Sequence, residues 1–185
     1  LDQLSGGRVE LGLGVGWMKE EFDALGVPWE KRGARNDEYI EAMRALWQGP
    51  HAEYHGDFVD FEPATCSPRP VNGSIPVIVG GDSDAAISRA VRIADGYFPG
   101  EGDIAQLGAL LDRVRQAAEA AGRDPASIEF SAIFGSQMAN PEQGVEEMAS
   151  IGVDRIMVPA FFFGGPDGLD NLDQLSERIM PIANG

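Results

Sequence analysis

Residues 78–84, Ile-Val-Gly-Gly-Asp-Ser-Asp, carry a β-branched run through two glycines into a helical pattern. A strand that ends in paired glycines just before a helix gathers orphan N–H groups and the positive end of the helix dipole in one small volume. That chemistry suits an anion, above all a phosphate, and the Ser83 hydroxyl adds one more donor. Asp82 complicates it. Its carboxylate is a natural helix cap, a purely structural role, or a negative charge set against the anion. The residues alone leave both roles open.

Two other chemistries fail on spacing or order. Gly81-Asp82-Ser83-Asp84-Ala85 nearly matches the G-x-S-x-G elbow of hydrolases, but both histidines, His51 and His55, precede the serine rather than follow it. They flank a short hairpin pattern and are expected to face solvent. Gly12, Gly14 and Gly16 begin a dinucleotide fingerprint, yet the position of its third glycine holds Trp17 in one register and Lys19 in the other. Small residues at alternate positions instead leave one face of this strand bare, for a flat ligand or for a close-packed neighbour. Arg32 and Arg35 open the next helix, where a guanidinium reaches an adjacent turn and pairs well with phosphate. No P-loop, H-E-x-x-H or paired-carboxylate motif is present, and no residue pattern names a catalytic group or a metal ligand. The aromatic stretch 160–168, AFFFGGPDG, supplies a pocket wall, a lid, an oligomer contact or a second anion turn at Gly164-Gly165.

These residues need a scaffold, and the pattern supplies one. Strands are expected at 8–16, 75–81, 96–100, 128–135 and 154–165, each followed by a helix. Gly26 closes the first helix, and the second places Tyr39, Ile40, Met43, Leu46 and Trp47 on one face. Residues 50–74 form a hairpin and proline-rich insertion. Strands that are apolar on both faces and alternate with helices predict a parallel sheet covered by helices. Five such units fit part of a (β/α)₈ barrel or a complete doubly wound sheet, and both put the functional face at the C-terminal strand ends.

Composition narrows the partners. The 185 residues carry 14 basic and 30 acidic side chains, a net charge of −16. That field disfavours nucleic acid and anionic membranes. One cysteine excludes an internal disulfide, and no apolar run approaches a membrane span.

The blocks GRVELGLGVGWMKEEFDALGVPWEKRGARNDEYIEAMRALW, HGDFVDF and PRPVNGSIPVIVGGDSDAAISRAVRIADGYFP, in this order and spacing, resemble the bacterial luciferase-like monooxygenase superfamily. The branch that uses the deazaflavin coenzyme F420 is the most similar. The resemblance implies a (β/α)₈ TIM barrel, of which residues 1–185 form a single partial domain holding the C-terminal five βα units, strands four to eight. The first three strands would precede Leu1. It further implies a cytoplasmic homodimer that transfers hydride between F420, or FMN as the alternative, and a small-molecule substrate. A truncated, non-catalytic barrel that binds a phosphorylated ligand or a partner chain is the competing expectation. In the family, the turn after the fifth strand holds the cofactor phosphate, which corresponds to Gly80, Gly81, Asp82 and Ser83. The fourth-strand exit, Val15, Gly16 and Trp17, lies beside it, and Arg35 matches a helix arginine facing the same group.

Overall fold

A computed structural model describes residues 1–100 and 103–183. It forms two compact units, 1–79 with 92–94, and 80–91 with 95–185. In chain order the elements are α1 (Asp2–Ser5), β1 (Leu11–Leu13), α2 (Lys19–Leu25), α3 (Arg32–Gln48), β2 (Ala52–His55), β3 (Asp60–Ala64), β4 (Val77–Gly80) and α4 (Asp84–Ile93). There follow β5 (Gly96–Phe98), α5 (Ile104–Ala120), β6 (Glu129–Ile133), α6 (Pro141–Ser150), β7 (Arg155–Met157) and α7 (Gly168–Ala183). The parallel sheet is ordered β1-β4-β5-β6-β7, each strand followed by a helix, and β2 and β3 pair separately.

In the first unit β1 runs parallel to β4, with Leu11 opposite Val77 and Leu13 opposite Val79. The expected strand over 8–16 shrinks to three residues, none of them buried, because β1 ends the strand order and has one neighbour only. A Cβ built on Gly12 or Gly14 meets nothing within 4 Å, so the bare glycine face has no close-packed neighbour. Gly26 closes α2 in the left-handed conformation, φ 67°. On α3, Ile40, Ala42 and Trp47 are buried. Tyr39, Met43 and Leu46 instead line an open apolar cavity of about 470 Å³ with Leu13, Val59 and Phe61. The hairpin β2–β3 is antiparallel and is tied to α3 by Glu38, whose carboxylate accepts from the amides of Asp57, Phe58 and Val59 at 2.7, 2.6 and 2.9 Å.

In the second unit β5, β6 and β7 are parallel, with Gly96 opposite Glu129 and Ser131 opposite Arg155. Its core includes Leu107, Leu111, Val114 and Ala118 of α5, all fully buried. Their 4-3-4 spacing is the stripe that a helix must turn inward, each large side chain contributing about 1.5–3 kcal/mol of burial. Asp103 caps α5 by accepting from the amides of Ala105 and Gln106. α4 stops at Ile93, and β5 begins at Gly96, where the expected strand 96–100 begins. The last expected strand divides: β7 covers Arg155–Met157, and Ala160–Phe163 form a 3₁₀ turn.

Candidate functional site

The turn after β4 is built from four layers of main-chain and side-chain bonding. Gly81 adopts φ +112°, outside the range that side-chain-bearing residues occupy, so glycine is required here. Its amide donates to Phe98 O at 3.3 Å, and its carbonyl accepts from the Tyr97 hydroxyl at 2.8 Å. Tyr97 is fully buried on β5, so the strand behind the turn fixes it from below. Burial, assisted by the charge on Asp82 and opposed by Arg113, pushes the Tyr97 phenol up to about 12.

Ser83, not Asp82, caps α4. Its Oγ accepts from the Ala86 amide at 3.2 Å and its carbonyl from the Ile87 amide at 3.0 Å. The Asp82 carboxylate accepts instead from the Gly100 amide at 2.9 Å, which ties the turn to the loop after β5. Asp84, in the first turn of α4, pairs with Arg113 of α5. Both carboxylates flanking the turn are therefore engaged. None of the described residues accepts from the amides of Asp82, Ser83, Asp84 or Ala85. Four main-chain donors and a helix N-terminus remain to bind an anion.

The exit of β1 holds the other expected residues. Val15 is half-buried, Gly16 has φ +78°, and Trp17 is 81% exposed. A Cβ on Gly16 would lie 2.6 Å from the Phe22 ring, so the chain turns here against α2 with no room for a side chain. Arg35 donates to Pro28 O at 2.8 Å and Glu30 O at 3.3 Å and lies 5.3 Å over the Phe58 ring. It fastens the loop before α3. The guanidinium that meets the β1 exit is that of Arg32, whose Nε donates to Gly16 O at 3.3 Å.

The histidines take no part in such chemistry. His55 pairs with Asp60 at 2.6 Å on the hairpin, and both side chains are largely exposed. That carboxylate holds the imidazole above its ordinary value, with burial opposing. Phe161 and Phe162 project from the turn after β7, their rings 4.7 Å apart and both partly exposed. Among the described residues, no group of His, Cys, Asp and Glu side chains is placed to hold a metal ion, and no helix is long and apolar enough to cross a membrane. Tyr97, Arg113 and the capping role of Ser83 escaped the sequence patterns. Tyr97 and Arg113 act through long-range contacts that no local spacing signals. Ser83 had such a signal, a hydroxyl immediately before the first helical residue.

A family profile described as luciferase-like monooxygenase matches residues 1–176. The chain belongs to that family. An uncharacterized protein of Mycobacterium tuberculosis is 36% identical over 189 residues, covering 97% of this chain and 64% of that protein. The FMNH(2)-dependent dimethylsulfone monooxygenase of Pseudomonas putida is 36% identical over 126 residues, 66% of this chain and 35% of that enzyme. The chain thus spans less than two thirds of either curated relative. Among solved structures, the coenzyme F420-dependent tetrahydromethanopterin reductase of Methanopyrus kandleri superposes with a TM-score of 0.77 at 18% identity, over 97% of this chain and 76% of that one. At such identity the likeness concerns the fold, a parallel five-stranded sheet with helices that matches part of a TIM barrel of the luciferase-like type.

Proposed function

We propose that the protein is an oxidoreductase that binds a phosphorylated deazaflavin or flavin coenzyme, F420 first and FMN second, and seats its phosphate on the turn Gly80–Ser83. One observation carries this reading: four amides that donate to none of the described residues lie at a glycine turn whose neighbouring carboxylates are both occupied elsewhere. Membership of a family that includes an FMNH(2)-dependent monooxygenase, and a fold shared with an F420-dependent reductase, supply the coenzyme class. The bound coenzyme supplies the hydride chemistry on a small organic substrate.

The chain's own residues position it. Backbone amides at 82–85 meet the phosphate anion, which suits a molecule of net charge −16 because the attraction is local and needs no basic surface. Tyr97 and the Asp82–Gly100 contact hold those amides in place before the ligand arrives, which lowers the ordering cost of binding. Within the first unit, Val15, Gly16 and Trp17 at the β1 exit are proposed as cofactor-binding residues, and Arg35 as the residue that shapes the loop before α3.

The decisive experiment compares FMN with riboflavin, which lacks the phosphate, by fluorescence titration alongside F420. FMN is expected to bind at least tenfold more tightly than riboflavin. Gly81→Ala should erase most of that ratio, and circular dichroism separates lost binding from lost folding. Equal binding of FMN and riboflavin by the wild-type protein would overturn the assignment of the turn.

A further inference from the structure

Asp82 has no duty in capping α4, which Ser83 performs, yet it stands among the amides of the turn. Its carboxylate is tethered. Oδ1 accepts from the Gly100 amide at 2.9 Å, and a Cβ on Gly100 would meet Oδ2 at 3.4 Å, so the loop after β5 closes on it. The charge is felt at the base of the turn. After burial it is the largest influence pushing the Tyr97 phenol up to about 12, and the Tyr97 hydroxyl sits 2.8 Å from Gly81 O. A carboxylate held this way adds its field to any anion that the turn receives.

The nearby cation does not cancel that field. Arg113 of α5 pairs with Asp84, so those two charges offset each other and leave the charge of Asp82. Attraction at the turn comes from uncharged N–H groups and from a helix N-terminus equivalent to about half a positive charge. Half a positive charge set against a whole negative one leaves the corner net negative. Hydrogen bonding then carries the binding, and each further charge on the ligand counts against it.

We infer that Asp82 is a charge-selecting residue, whose tethered carboxylate biases the turn Gly80–Ser83 towards a singly charged phosphodiester and against a doubly charged monoester. The inference rests on the proposed seating of a phosphate at this turn and lies wholly within the second unit. Of the two proposed coenzymes, F420 carries a phosphodiester and FMN a monoester, so Asp82 bears on the choice between them. A carboxylate about 6 Å from the bound phosphorus, screened nearly as in water, weakens a monoanion about threefold and a dianion about tenfold, the square of that factor.

The test uses two small probes at constant ionic strength: dimethyl phosphate with one charge, and methyl phosphate with two at about pH 8. Amide signals of ¹⁵N-labelled protein at Asp82, Ser83, Asp84 and Ala85 report binding, and that of Gly100 reports the tether. Asp82→Asn removes the charge and keeps an acceptor for the Gly100 amide. It should tighten methyl phosphate about tenfold and dimethyl phosphate about threefold, raising the preference for the monoester about threefold. Arg113→Gln strips Asp84 of its partner and adds an unbalanced negative charge, so it should move the preference the opposite way. That second variant carries the test should the asparagine protein fail to fold, which circular dichroism reads. An unchanged preference in the folded variants, whether from equal gains or from none, would overturn the inference and leave the phosphate site standing. Failure of both esters to shift the four amides, in wild type and variants alike, would refute the phosphate site and the inference with it.

Discussion

Replacing Tyr97 with phenylalanine removes one hydroxyl and nothing else, since the ring stays in a fully buried position on β5. The lost contact is the 2.8 Å hydrogen bond to Gly81 O. A neutral hydrogen bond contributes about 1 kcal/mol net, so Tyr97→Phe should lower the melting temperature by roughly 2–4 °C for a chain of this size. Alkaline pH provides a sharper signature. The phenol titrates near 10 in an unfolded chain, but burial, together with Asp82 and against Arg113, pushes it up to about 12 in the folded protein. Between those values the unfolded chain has released the proton that the folded chain keeps. Stability therefore falls as pH rises through this window, by up to about 1.4 kcal/mol per pH unit. The phenylalanine variant has no such proton to lose. Its deficit of about 1 kcal/mol near neutral pH should shrink above about pH 10 and reverse close to about pH 11. All other titrating groups are shared by the two proteins and cancel in the difference. Urea unfolding of both, at matched ionic strength across this range, measures the crossover. An offset that stays constant through the alkaline range would refute the burial of the hydroxyl and its role beneath the turn.

Two glycines inside helices should respond to alanine with opposite signs. At Gly144 on α6 a Cβ would lie 2.5 Å from Gln137 Cβ and 3.0 Å from Phe134 Cζ, so overpacking of about 1–3 kcal/mol exceeds the gain of about 1 kcal/mol in helix propensity. At Gly108 on α5 the nearest atom is Ile151 Cγ2 at 3.5 Å, an ordinary contact, and Gly108→Ala should stabilise by up to about 1 kcal/mol. Thermal unfolding of the two variants decides the matter. Glu38→Ala should speed amide hydrogen exchange at Asp57, Phe58 and Val59 while the α3 amides keep their protection; unchanged exchange at the three would show the tie to be idle. Burial opposes the Glu38 charge, but the three amide bonds together hold its carboxyl below the ordinary value of 4.5. The tie is therefore complete at neutral pH and lost as acid protonates the folded carboxyl below that value, which exchange followed as the pH is lowered through and below 4.5 should reveal.

Alternation of strands and helices was readable because each element announces itself locally: the 4-3-4 stripe of α5, the glycine stop at 26, the β-branched run of β4. Element lengths were not, because a strand ends where its neighbours end. The pattern at 8–16 reads as one long strand, yet β1 pairs on one side only and keeps three residues. The turn at 80–83 was visible as chemistry through its glycines, whereas the division of labour within it was not. Asp82 and Ser83 are both good caps by type, and the choice between them depends on the Gly100 amide, which folding brings from 18 residues away. The arginines show the same limit. Arg35 and Arg32 are equivalent by residue type, and only the positions of the carbonyls of Pro28, Glu30 and Gly16 separate them.

Arginine in this protein is largely turned on the backbone. Beyond Arg32 and Arg35, Arg8 grips Ser5 O, Arg44 grips Ile93 O, Arg69 grips Gln48 O, Arg115 grips Ile151 O, and Arg123 grips Val91 O with Ala90 O beside it. At least seven of the 14 basic side chains thus spend donors on neutral carbonyls, in a molecule with 30 acidic groups. Added electrolyte shields repulsion among those acids while taking little from contacts made to uncharged oxygen. The fold should accordingly tighten as salt rises, the reverse of a protein laced together by surface ion pairs. Lysine, with a single ammonium in place of a two-pronged grip, would be a poor replacement at Arg123 although it carries the same charge.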